Sequence, residues 1–156
     1  MDIIIREATE KDIPVLLALE QVLVSAERPF DPTIKEDPVW YHDISGLVSD
    51  SESRFVVAES LGRVVACAFG IKKQPRHYLD HDAYAYLGLM VTAETHRGKG
   101  INGLLINDLK QWAITRGLYE MRLTVYDGNQ SAIRAYEKAG FERHIVEMRF
   151  RVTDWL

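Results

Sequence analysis

One cysteine, Cys67, stands in a chain of 156 residues. An intramolecular disulfide and a cysteine-based metal site are thereby excluded. Proline, at 5 residues, and glycine, at 10, are sparse, so the chain is neither collagen-like nor of low complexity. No apolar run approaches the roughly 18 residues that a membrane-spanning helix needs. The first such run, Ile3-Ile4-Ile5, sits between Asp2 and Arg6 and is too short, and too acidic at its start, for a signal peptide. Positive charge is not in excess either: 19 Lys and Arg face 23 Asp and Glu, a net charge of −4. That argues against a general basic surface for nucleic acid or anionic membrane, so an anionic ligand must be gripped locally. These absences lead us to expect a cytoplasmic protein without a nucleic-acid or membrane partner. They leave a homodimer open.

What is present is the make-up of a folded globule, with 47% apolar and 27% charged residues. The length suits one domain, residues 1–156, around one core. Residues 2–7 read as a strand. Thr9 or Asp12 then caps a helix whose apolar positions Ile13, Leu16, Leu17, Leu23 and Val24 recur at helical spacing, with polar Glu20 among them and Pro14 in the first turn. Pro29, Pro32 and Pro38 make residues 27–37 a loop, followed by a short helix through Trp40, Ile44, Leu47 and Val48; this region reads as a lid rather than core. Two β-rich runs, 54–60 and 63–71, meet at Leu61-Gly62 as a hairpin. A polar connection over 72–82 leads to a strand at about 84–91. Ile101, Leu105, Leu109 and Trp112 share one face of a helix from Gly100 to Arg116, which Gly117 stops. A strand over 121–126, a helix over 131–139 and a last strand near 145–152 complete the order β-α-α-β-β-β-α-β-α-β. Two β-α units in the second half and hairpins in the first predict an α/β fold (α+β in some schemes), with helices on both faces of a mixed, mostly antiparallel central sheet.

Between a strand and a helix lies Arg97-Gly98-Lys99-Gly100-Ile101-Asn102-Gly103. Small residues let the backbone approach a ligand, and the free N–H groups and positive dipole end of the helix favour a phosphate. Arg97 and Lys99 add charge. Taken alone, the same glycines are equally explained by a tight turn. Gly98, Gly100 and Gly103 also satisfy the dinucleotide pattern G-x-G-x-x-G, with Asp127 about where a ribose-binding acid would fall. Yet Thr92 to Arg97 separate the strand from the glycines, and fewer than 30 residues follow Asp127. The P-loop pattern fails because Gly100, not Ser or Thr, follows Lys99.

The wider context decides between these readings. Val91 to Gly100 (V-T-A-E-T-H-R-G-K-G) and Asn129 to Phe141 (N-Q-S-A-I-R-A-Y-E-K-A-G-F) resemble the two cofactor-binding motifs of the GNAT superfamily of acyl-CoA-dependent N-acetyltransferases, R-x-x-G-x-G and N-x-x-A-x-x-x-Y-x-x-x-G-F. The order of elements matches over almost the whole chain; the residue likeness is strong from about Tyr84 to Phe141. The first motif departs from the family where Asn102 replaces a Gly or Ala. A second departure lies in the strand before it: many relatives carry an acid at its middle, where this chain has Leu87 and Gly88.

The resemblance implies transfer of an acetyl group from acetyl-CoA to a primary amine of a small molecule, peptide or protein, by direct attack in a ternary complex and without a metal. It assigns the pyrophosphate to Arg97, Gly98, Lys99, Gly100, Ile101, Asn102 and Gly103. The backbone of Leu89, Met90 and Val91 is expected to pair with the pantetheine arm and to polarise the thioester carbonyl. Asn129 and Tyr136 are further cofactor contacts, and Tyr136 is the expected acid for the leaving thiolate, since a phenol is protonated at neutral pH. Without Asn129, Gly140 and Phe141 around it, Tyr136 reads as an ordinary helix-packing residue. The general base is sought among His77, Asp80, His81 and Asp82 in one loop and Glu27, Asp31, Glu36, Asp37 and His42 in the other, most of them solvated loop residues. His77 and His81 are also a conceivable metal pair. An EF-hand at Asp127, Asn129 and Ser131 fails, with Ala132 and Lys138 at its required Gly and Glu positions. Phe30, Trp40 and Tyr41 either line an acceptor pocket or belong to the core. The alternative from another class is a non-catalytic acyl-CoA-binding sensor of the same fold.

Overall fold

The computed structural model describes residues 2–155; Met1 and Leu156 lie outside the described residues. Five strands form one sheet in chain order: β1 (Ile3–Glu7), β2 (Arg54–Ser60), β3 (Arg63–Lys73), β4 (Tyr84–Thr92) and β5 (Met121–Arg122). The first four pair antiparallel, and β5 joins β4 in parallel. Leu61 and Gly62 turn the β2–β3 hairpin with φ of 50° and 76°. Two left-handed residues in succession match the twist of a two-residue hairpin, and Gly62 adopts the conformation without steric cost.

Strand alternation sorts the side chains onto two faces. Phe55, Val57, Cys67 and Phe69 meet Leu16 and Leu19 of helix α1 (Ile13–Glu27) and Ile44 of α2 (Ile44–Ser49). On the other face Val56, Ala58, Ala66 and Ala68 meet Ile101, Leu105 and Leu109 of α3 (Ile101–Thr115). Helix α4 (Gln130–Lys138) follows β5 and buries Ile133. The mixed, mostly antiparallel sheet with helices on both faces is therefore formed as the sequence implies. Asp12 closes the turn into α1: it accepts from the Thr9 N–H at 2.8 Å, and both its oxygens take hydrogen bonds from Arg6 at 2.8 and 2.9 Å.

Three expectations need correction. Helix α1 continues to Glu27 and a 3₁₀ turn carries the chain on to Phe30, because a proline in the first turn of a helical segment lacks only an N–H that has no partner there. The short helix begins at Ile44, which is 2% exposed and belongs to the core, so of the expected lid only residues 31–43 remain outside helix and core cluster. The largest correction concerns the last strand. Strand β5 stops at Arg122, and residues 142–150 form no strand and are exposed, with Arg149 paired to Asp31. With β5 so short, Ile145, Val146, Met148 and Phe150 have no β5 ladder to extend, and the segment is instead held by Arg149 on Asp31.

Candidate active site

Strand β4 is nine residues long, yet it meets β5 only at Ala85 and Tyr86. From Leu87 onward its β5 side has no strand partner among the described residues, which leaves backbone donors and acceptors along an open edge. Such an edge is a template for an extended ligand that carries amides. A bulge sits within it. Cys67 pairs with Val91 and Phe69 with Gly88, so two steps in β3 oppose three in β4, and Leu89 takes up the extra residue at a φ of 47°. A left-handed non-glycine residue costs about 1–3 kcal/mol and needs a surrounding structure that enforces it. Here Leu89 is buried, and its carbonyl lies 3.5 Å from the Cys67 sulfur. The bulge resets the alternation: Leu87 joins the α3 side, whereas Leu89 and Val91 join the α1 side. Met90 packs toward α3.

After β4, Arg97 folds back and its Nε donates to the Thr92 carbonyl at 3.1 Å. Gly98 and Gly100 follow with φ of 74° and 78°, which is why glycine stands at both. A Cβ at Gly98, Gly100 or Gly103 would meet nothing within 4 Å, so the space outside this turn is open to a ligand. Gly100 begins α3 and brings no capping side chain, so the N–H groups of the first turn are left to an external acceptor. Lys99 is exposed beside them. Ile101 buries its side chain in the core at 1% exposure and offers only its N–H, while Asn102 and Gly103 lie in the first turn.

Asn129 caps α4, its Oδ1 accepting from the Ala132 N–H at 3.3 Å. Its side-chain amide group is the part left for a cofactor. Tyr136 is half-buried, with its ring edge-on to Phe141 at 6.1 Å. Burial first, and the nearby charge of Glu27 second, push its phenol up to about 12. The proton therefore stays on the phenol at neutral pH.

The structure separates the base candidates. His77, Asp80, His81 and Asp82 precede β4, and at ~3.3 Å per residue the strand holds them roughly 25 Å from the glycine turn. His81 is engaged there by Asp80 and Arg122, each at 2.8 Å. A hollow of about 450 Å³ lined by Asp80, His81, Asp82, Tyr119 and Glu120 belongs to that far end, not to the glycine turn. Among the described residues no group of three or more His, Cys, Asp or Glu is placed to hold a metal ion. Asp37 is paired to Arg28 at 2.7 Å, and Asp31 accepts from Thr33, Arg149 and Tyr126. His42 lies edge-on to Phe69 at 4.9 Å, and burial lowers its basicity. Phe30 stacks on Tyr126 at 6.2 Å, Trp40 is exposed, and Tyr41 is half-buried with its hydroxyl enclosed. Of the candidates, Glu27 is near enough to Tyr136 for its charge to act on the phenol. Two neighbours carry no signal in the sequence: Tyr126, drawn in by Asp31, and Glu20, a fully buried carboxylate that reads only as a polar gap in an apolar helix face.

A family model for the acetyltransferase (GNAT) family matches residues 18–141. The chain belongs to the GNAT family. An uncharacterized N-acetyltransferase of Bacillus subtilis, YobR, is 39% identical over 71 residues, which are 46% of this chain and 28% of that protein. The match thus takes in less than a third of that relative. Among solved structures, a single-residue mutant of the BH1408 protein of Bacillus halodurans superposes with a TM-score of 0.83 at 20% identity, over 96% of this chain and 99% of that one. A predicted acetyltransferase of Clostridium acetobutylicum solved with acetyl-CoA gives 0.73 at 19% identity, over 98% of both chains. These likenesses show the fold. In this GNAT protein the bulged β4 and the glycine turn lie in the matched region.

Proposed function

We propose that this GNAT protein is an N-acetyltransferase that uses acetyl-CoA as cosubstrate and a primary amine as acceptor, with both bound at once. The unpartnered half of β4, running directly into an open glycine turn and an uncapped helix start, carries the reading. An extended amide-bearing arm that ends in a pyrophosphate fits this sequence of backbone edge and anion cradle. The likeness to a protein named as an N-acetyltransferase supports an amine acceptor. Acetyl-CoA, when bound, supplies the activated carbonyl. The residues then divide the work. The N–H groups of Gly98 to Gly103, with Arg97 and Lys99, hold the phosphates. The backbone of Leu89, Met90 and Val91 orients the arm and donates to the carbonyl oxygen. Asn129 steadies the cofactor through its amide, and Tyr136 contacts it and gives its proton to the leaving sulfur.

The test is a thiol-release assay with a panel of primary amines: lysine amide, glucosamine, spermidine and a peptide with a free N-terminus. Amine-dependent release of CoA thiol, with the acetylated amine found by mass spectrometry, is expected. Tight acetyl-CoA binding with no transfer to any of them would favour a non-catalytic acyl-CoA sensor instead. Thermal melts add a second arm: acetyl-CoA raises the midpoint by mass action and NAD does not. Stabilisation by NAD alone would remove the acyl-CoA reading.

A further inference from the structure

Strand β4 carries no carboxylate. A Cβ on Gly88 would lie 2.4 Å from the ring of Phe69, so Phe69 fills the volume that a side chain at that position would need. The chemistry still needs a group to receive a proton, because an amine with a pKa near 10 arrives as an ammonium ion. On the same face lies α1, which packs on β4. Glu20 of this helix stands close enough to Cys67 of β3 to act on its thiol. Two turns further on, Glu27 stands close enough to Tyr136 and Tyr126 to act on their phenols. The chain just past the helix end lies against the chain leaving β5: Phe30 stacks on Tyr126 at 6.2 Å, and the Tyr126 hydroxyl donates to Asp31 at 3.2 Å.

We propose that Glu27 is the catalytic carboxylate of this site, holding the acceptor's ammonium group and taking its proton. The inference rests on the acetyltransferase reading given above. Three observations support it. Glu27 is half-buried and forms no ion pair with a described cation, which leaves its charge available to an incoming ammonium group. Its surroundings are phenols: the enclosed Tyr41 hydroxyl, which forms no hydrogen bond of good geometry, lies near the carboxylate, with Tyr126 and Tyr136 beyond. Aromatic faces and a carboxylate together suit an ammonium group. Finally, burial raises the proton affinity of Glu27 above the ordinary carboxylate value, which moves it toward the working range of a base. The other charged groups about this cluster are Arg28, which acts on Tyr41, and Asp31 with Arg149, which act on Tyr126.

The proton account closes. Glu27 takes one proton from the ammonium and passes it to water. The freed nitrogen lone pair forms the C–N bond at the thioester carbonyl, and the C–S bond breaks. Tyr136 gives its proton to the departing sulfur and recovers one from the new amide nitrogen through water. One amide, one thiol and one proton in solution result.

The experiment compares wild type with Glu27→Gln, Glu27→Asp and Glu20→Gln, using the panel amine that the wild type acetylates fastest. Glu27→Gln is expected to lower kcat/KM for the amine about 100-fold at pH 7 while the Kd of acetyl-CoA, measured by calorimetry, stays within about twofold. The acid limb of the pH profile set by Glu27 disappears, and the variant regains rate as pH rises toward the amine's own pKa. Glu27→Asp restores part of the rate, and Glu20→Gln retains all of it. Retained acetyl-CoA affinity shows that the variants are folded. A Glu27→Gln variant with wild-type kcat/KM and an unchanged acid limb overturns this assignment but leaves the acetyltransferase reading standing. A wild type that acetylates none of the amines overturns both.

Discussion

Tyr136 is the acid we propose for thiolate release, and its environment favours the protonated form: its phenol is raised to about 12 by burial and then by Glu27. Tyr136→Phe keeps the ring against Phe141, so we expect acetyl-CoA affinity to be preserved and kcat to fall about 100-fold, measured with a true acceptor amine. Weakened affinity at unchanged kcat would make Tyr136 a cofactor contact only. Gly100 allows a sharper separation of space from conformation. Nothing lies within 4 Å of a Cβ there, so Gly100→Ala should lose only about 1–2 kcal/mol for its φ of 78°, read by urea unfolding. Gly100→Glu, by contrast, puts negative charge at the start of α3 and should abolish acetyl-CoA binding in calorimetry. Glu20 gives a pH signature. Both its oxygens are enclosed without a hydrogen bond of good geometry; the Tyr41 and His42 N–H groups favour its ionised form less than burial disfavours it. Its folded proton affinity thus exceeds the unfolded one, so its contribution to stability is greatest below the unfolded pKa and declines as pH rises through the folded pKa. Urea titrations from pH 4 to 8 should show that decline in wild type and its absence in Glu20→Gln.

Strand β4 and its bulge illustrate what a sequence can and cannot announce. The period of Ile101, Leu105 and Leu109 specifies α3 because one helical face must be buried, and the alternating burial of β4 specifies a strand for the same reason. Gly98 and Gly100 are legible because positive φ selects glycine. The bulge is not, since Leu89 holds φ 47° through its neighbours and not through its own preference. The gathering of Glu27, Tyr41, Tyr126 and Tyr136 is equally silent, because they come from four separate segments that only the tertiary fold brings together. Residues 142–150 mislead in the other direction: their apolar side chains point to a strand where no adequate neighbouring ladder exists. The glycine at position 88 is a packing necessity that follows from Phe69. Gly88→Ala should therefore cost about 1–3 kcal/mol of stability, and much of that should return when Phe69→Leu accompanies it. Additive losses in the double mutant, measured by urea unfolding, would mean that the ring does not set the constraint.

The described protein exposes 10668 Å² of surface, against about 8,000 Å² for a compact monomer of this mass. Part of the excess is the open C-terminal segment, whose Ile145, Val146, Met148 and Phe150 are all more than two-thirds exposed. One of its ties to the rest is the hydrogen bond of Arg149 to Asp31 at 3.0 Å, with Tyr126 and Thr33 on the same carboxylate. Asp31→Asn weakens that tie by removing its charge. Trypsin should then cut after Arg143 and Arg151 several times faster than in wild type while the rest of the chain resists; equal rates would show that Asp31 does not secure the segment. Cys67 has the opposite character. It is fully buried between α1 and the bulge, with its sulfur against the Leu89 carbonyl, and burial keeps it in the thiol form. An alkylating reagent can reach it only when the α1 face swings away from the sheet. The single thiol is therefore a natural clock: its labelling rate counts local openings of the very layer that supports β4, and a cosubstrate docked along that strand should slow the clock without ever touching the sulfur.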